Sequence, residues 1–106
     1  MSGNVTIREH EQNSDIWVRV VTRDRDYAYA DPTTIALVIT EPDGTETTKA
    51  KADMEQWTEK DSTDPTGHWR YKFRGTQLHI HTYEFTWVMP VSPADQGNET
   101  GYFEVV

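Results

Sequence analysis

The sequence predicts an all-β chain folded as a sandwich, and three stretches carry that prediction. Gly67-His68-Trp69-Arg70-Tyr71-Lys72-Phe73-Arg74 alternates large aromatic and charged side chains without a break. Successive side chains on a strand point to opposite faces, so Trp69, Tyr71 and Phe73 fall on one face and His68, Arg70, Lys72 and Arg74 on the other. The same period of two returns in Ile16, Val18 and Val20, set against Trp17, Arg19 and Val21. It returns again in Tyr83, Phe85, Trp87 and Met89, set against Glu84, Thr86 and Val88. No window of comparable length places apolar residues at helical spacing.

In chain order the pattern predicts strands over 4–8, 15–22, 34–40, 45–50, 53–58, 67–74, 82–89 and 101–106. Seven to eight short antiparallel strands separated by turn residues are the signature of a sandwich. Asp31-Pro32 opens the third strand, because proline at a strand's first residue removes no ladder bond. Between the third and fourth strands, Glu41-Pro42-Asp43-Gly44-Thr45 predicts a hairpin: proline presets φ and glycine accepts a positive one. The segments 23–33, 59–66 and 90–100 read as irregular, the last because it holds Pro90, Pro93, Gly97 and Asn98. Loops on a rigid sandwich are where binding surfaces usually lie.

A chain of 106 residues is the size of one domain, so residues 1–106 are read as a single unit. Only 35 % of residues are hydrophobic, but 11 % are aromatic, and a few large rings suffice to fill a thin core. Eighteen acidic against ten basic residues give a formal charge of −8, which opposes nucleic acid phosphates and anionic membranes as partners. With no cysteine there is no disulfide framework, thiolate metal site or cysteine nucleophile, which leans toward assembly in a reducing cytosol. Met1-Ser2-Gly3-Asn4-Val5-Thr6 lacks the basic and apolar regions of a signal peptide, and no apolar run approaches the roughly 18 residues of a membrane span.

Candidate chemistry is sparse. His79-x-His81 predicts two imidazoles on one strand face, with Glu84 or His68 as a third metal ligand, but a closed site needs about four ligands. Asp24, Asp26 and Asp31 could face a calcium ion, yet the further spaced oxygens and glycine of a calcium loop are missing, and turn-forming aspartates account for them. Ser14, Ser62 and Ser92 lie in predicted loops without the context of an activated nucleophile. The sequence therefore predicts no metal, no cofactor and no catalysis.

Aromatic residues out of phase with the core are more informative. Trp17 interrupts the Ile16, Val18, Val20 face, Trp57 sits between polar Gln56 and Thr58, and Tyr27 and Tyr29 lie in a charged loop. Tryptophan and tyrosine anchor interfaces because they bury large area at little entropic cost. The alternative is that each tryptophan packs under a neighbouring loop.

From Asp31-Pro32-Thr33-Thr34 onward the chain shows an ordered set of features: Pro42-Asp43-Gly44-Thr45, Asp61-Ser62-Thr63, Gly67-x-Trp69-x-Tyr71-x-Phe73, Thr82-Tyr83-x-Phe85-x-Trp87 and Glu99-x-Gly101-x-Phe103-x-Val105. This resembles small immunoglobulin-like proteins encoded among the virion structural genes of tailed bacterial and archaeal viruses. The resemblance implies an immunoglobulin-like β-sandwich that decorates a capsid or joins a head–tail or tail assembly. It implies capsid, connector or tail subunits as partners, in many symmetric copies, and a virion location after synthesis in the host cytoplasm. Two departures mark where a specific contact is expected: Asp26-Tyr27-Ala28-Tyr29 where such proteins carry a short glycine turn, and Leu78-His79-Ile80-His81 before the penultimate strand. Trp17, Tyr27, Tyr29, Trp57, His79 and His81 are the candidate contact residues, with the strand 101–106 able to pair along an edge if it is uncovered. A carbohydrate-binding or adhesive domain, using the same rings to stack on sugars, is the competing function.

Overall fold

A computed structural model describes residues 8–91 and 95–106. The described residues form eight strands: β1 (Arg8–His10), β2 (Ser14–Val21), β3 (Thr34–Thr40), β4 (Glu46–Ala50), β5 (Glu55–Gln56), β6 (His68–Gly75), β7 (His79–Met89) and β8 (Asp95–Val105). A single 3-10 turn, Lys51–Asp53, stands between β4 and β5, with the Asp53 carboxylate accepting from the Ala50 amide at 3.0 Å. The strands make two sheets, one ordered β1-β8-β7-β3-β4 and the other β2-β6-β5. The fold is a β-sandwich.

Period-two patterning sets the core. Ile16, Val18 and Val20 of β2, with Trp69 and Phe73 of β6, close against Ile35, Leu37 and Ile39 of β3, Phe85 of β7, and Phe103 and Val105 of β8. Phe85, Leu37 and Ile39 are fully buried between the sheets. The 41–45 hairpin forms as its residues dictate: the Glu41 amide donates to Thr45 O at 2.9 Å, and Gly44 takes φ +91°.

Four features depart from the sequence reading. Not every pair is antiparallel, since Arg8, Glu9 and His10 run parallel to Phe103, Glu104 and Val105. That pairing covers the 103–105 edge, so the condition for edge pairing there is not met; residues 4–7 of the predicted first strand lie outside the described residues. The 53–58 strand shrinks to Glu55–Gln56 because the 3-10 turn takes its first residue.

The largest difference is β8, which starts at Asp95 although glycine and asparagine marked 90–100 as irregular. β7 also begins earlier than expected and offers eleven residues, which β8 pairs from Met89↔Asp95 to His79↔Val105. Trp87 sits opposite Gly97 and Tyr83 opposite Gly101, each ring filling the space a glycine leaves. Cross-strand aromatic cover of this kind makes glycine tolerable in a ladder.

Candidate functional site

The outer face of the smaller sheet gathers the out-of-phase residues. Because Ile16, Val18 and Val20 point inward, Trp17 and Arg19 point outward from β2, and Arg70, Lys72 and Arg74 do so from β6. Trp17 pairs with Lys72 and Arg19 with Arg70 across the ladder. The Arg70 guanidinium lies 3.8 Å from the centre of the Trp17 ring, with the Lys72 ammonium at 5.4 Å.

Beyond the end of β2 the chain bends into the 24–28 loop and returns through an isolated bridge between Arg23 and Tyr29. Asp24 Oδ1 builds the bend by accepting from the Asp26 amide at 2.9 Å and the Ala28 amide at 3.0 Å. Arg23 lies over both loop tyrosines, 4.1 Å from the Tyr29 ring centre and 4.7 Å from that of Tyr27, and donates to Tyr27 O at 3.0 Å. Its charge fixes two rings at once.

Tyr29 in turn meets His68 with ring centres 4.7 Å apart, and Trp57 meets the other side of the cluster, 4.8 Å from His68 in an edge-on contact. Arg19 lies 4.9 Å from the Trp57 ring centre. Tyr27, Arg23, Tyr29, His68, Trp57 and Arg19 thus form one unbroken run of rings and cations, with Trp17, Arg70 and Lys72 alongside. Each such contact contributes about 0.5–1 kcal/mol at an exposed site.

Backbone geometry docks this run on the sheet. Gly67 has φ +75°, and a Cβ there would stand 2.6 Å from Thr22 O and 3.1 Å from Ala30 N, so glycine lets both Thr22 and the returning Tyr29–Ala30 backbone lie this close to the start of β6. Asp31 Oδ1 accepts from the Gly67 amide at 2.8 Å, the Gln56 side chain at 3.0 Å and Trp69 Nε1 at 3.2 Å. Asp24 is thus committed to its own turn and Asp31 to donors far away in sequence, and among the described residues no group of three His, Asp or Glu side chains is placed to hold a metal ion.

Of the six candidate residues, four come together here. Tyr27 is 77 % exposed and Tyr29 45 %, while Trp17 and Trp57 are half-buried, Trp57 donating from Nε1 to Trp69 O at 3.3 Å. His79 and His81 do not join them. His79, at φ +91°, stays exposed at the start of β7. His81 is fully buried, stacked 5.0 Å from Phe103, with Nδ1 donating to His79 O at 3.1 Å. It is a core residue and leaves the contact set; inward alternation along β7 decides this, and the two imidazoles do not share a solvent face.

His68 was missed. Alternation put it outward with the charged residues, yet Tyr29 and Trp57 cover it, and Glu59 Oε1 meets its Nε2 at 3.1 Å. Comparison with protein-family models, with curated proteins and with solved structures returns no match.

Charge on the face is only partly neutralised. Arg70 pairs with Glu55 at 2.6 Å and Arg74 with Asp15 at 3.4 Å. Among the described residues, Arg19, Arg23 and Lys72 make no ion pair. A guanidinium stacked on a ring directs its N–H edge away from that ring, so Arg19 over Trp57 is a preorganised donor, while Arg23 already gives one N–H to Tyr27 O.

Proposed function

We propose that this chain is a non-enzymatic structural component of a tailed-virus particle, an immunoglobulin-like sandwich that docks on capsid, connector or tail subunits through the outer face of its smaller sheet. The observation that carries the reading is the run from Tyr27 to Arg19, in which exposed Tyr27 and Tyr29 and half-buried Trp57 are packed around His68 and braced at the two ends by Arg23 and Arg19. Aromatic and arginine side chains dominate binding energy in protein interfaces, and prior ordering lowers the entropic cost of docking. In support of the immunoglobulin-like part, the order β1-β8-β7-β3-β4 over β2-β6-β5 corresponds to the split of such sandwiches, with the additional fourth strand beside the third.

Sugar binding asks for ring faces left open. Here Arg70 covers a face of Trp17, and Arg23 covers one of Tyr27 and one of Tyr29. That occupation favours a protein partner. The test replaces Tyr27 and Tyr29 together by alanine and follows incorporation into particles from the native source, alongside glycan binding. Loss of incorporation by a folded variant supports the docking role; normal incorporation with loss of glycan binding transfers the face to carbohydrate recognition.

A further inference from the structure

The two outer faces of the sandwich carry opposite charge. On the larger sheet, Ile35, Leu37 and Ile39 point inward, so the alternate residues of β3 and their cross-strand partners point outward. By the same register Glu9, Glu46, Glu84 and Glu104 are outward, and among the described residues no lysine or arginine is. The rest of that face is small or uncharged, rich in threonine, with Tyr102 and Ile80 exposed at 45 % and 40 %. Two shallow troughs of about 510 and 500 Å³ run along it, the second lined by Glu46, Glu84, Val38 and Tyr102.

The opposite face presents Arg19, Arg23, Arg70, Lys72 and Arg74, which is half of the ten basic residues of a chain with net charge −8. Arg19 and Arg70 even stand directly opposite one another, a like-charge cross-strand pair that destabilises a sheet unless an acid meets it. Glu55 answers Arg70; within the described chain nothing answers Arg19. On the strands of the arginine face only Asp15 and Glu55 stand against these bases, each already paired, while the other face lacks bases; each exposes rings or flat small-residue surface suited to receive the other.

We infer that a second copy of this chain is a partner of the arginine–aromatic face, which seats on the acidic threonine-rich face of its neighbour. This rests on the docking role of that face and names the occupant. The contact is heterologous, with different patches on the two copies, so repetition gives a ring if the rotation closes and an open stack if it does not. Net repulsion between like-charged copies acts at long range and is screened within about 8–10 Å at 0.1–0.15 M salt, whereas pairs in contact persist. Near 1 M salt, with a screening length of about 3 Å, the contact pairs also weaken.

Sedimentation velocity on the full chain tests this, from micromolar to about 1 mM. At 0.15 M salt the chain is expected to form species growing with concentration beyond a dimer, and to be monomeric at 1 M. Arg19→Glu with Lys72→Glu, and separately Glu84→Lys with Glu104→Lys, each weaken association about tenfold or more, while all four changes together restore it. Circular dichroism checks that each variant folds. A monomeric wild type at 0.15 M salt, an Arg19→Glu/Lys72→Glu variant that still assembles, or a folded fourfold variant that stays monomeric overturns the inference. Particle incorporation separates the two readings: a monomeric wild type whose Arg19→Glu/Lys72→Glu variant is lost from particles removes self-association and leaves docking in place.

Discussion

Tyr27 holds φ +66° while 77 % of its surface meets solvent, and the Arg23 guanidinium lies 4.7 Å from its ring centre. A non-glycine residue in this backbone region costs on the order of 1 kcal/mol or more. The position suits glycine, and exposure returns nothing to the core, so the ring is retained against the local preference of the backbone.

Replacing Tyr27 by glycine is therefore expected to leave the melting temperature unchanged or slightly raised, while particle incorporation drops. Thermal melts and incorporation measured on the same preparation check this. A fall in both together would make the ring a structural prop.

Gly97→Ala drives a methyl into the Trp87 indole and Gly101→Ala one into the Tyr83 ring, because the rings already fill those sites. Each change is expected to cost about 1–3 kcal/mol in urea unfolding, the usual range for overpacking. Adding Trp87→Leu to Gly97→Ala should recover part of the loss, and a double-mutant cycle measures the coupling.

Asp31 ties three elements through one oxygen that receives the Gly67 amide, the Gln56 amide group and the Trp69 indole. Its replacement by alanine leaves the Gly67 donor without its partner, with an expected loss of about 1–3 kcal/mol. Asparagine keeps an acceptor and should lose less. Hydrogen exchange at Gly67 reports the release directly.

Two groups give stability opposing pH dependences. Burial, with the Arg8 charge adding to it, holds His10 below its ordinary 6.5, so near that pH the unfolded chain carries the extra proton and stability falls as pH drops through 6.5. Burial raises Glu99 above 4.5, so its contribution is full below that value and is lost as pH rises through the higher folded value. Urea titrations from pH 4 to 8 should show Glu99→Gln stabilising at neutral pH with the gain vanishing near pH 4. His10→Leu should flatten the slope below pH 7.

Local pattern already fixes much of this molecule. β3 appears at its predicted bounds, Thr34–Thr40, because proline before it and a proline–glycine turn after it punctuate a branched, apolar run. Trp17 reads as outward from its phase alone, and so it is. β8 was hidden because Gly97 and Asn98 look like loop residues until Trp87 and the length of β7 are known. His81 looked like a surface ligand because its neighbours in sequence are polar or exposed; the stack on Phe103, twenty-two positions later, makes it core.

Alternation by two is a property of neighbouring residues, so the sequence alone determined which side chains leave each strand together, and with them the all-β sandwich. Which rings meet which cations was settled only in the folded chain. Arg19, Trp57, His68, Tyr29 and Arg23 come from three separate stretches, brought together by the β2-β6-β5 order and the close approach at Gly67. The opposite charge of the two faces has the same origin: residues dispersed along the chain acquire a common side only when strand pairing assigns them one.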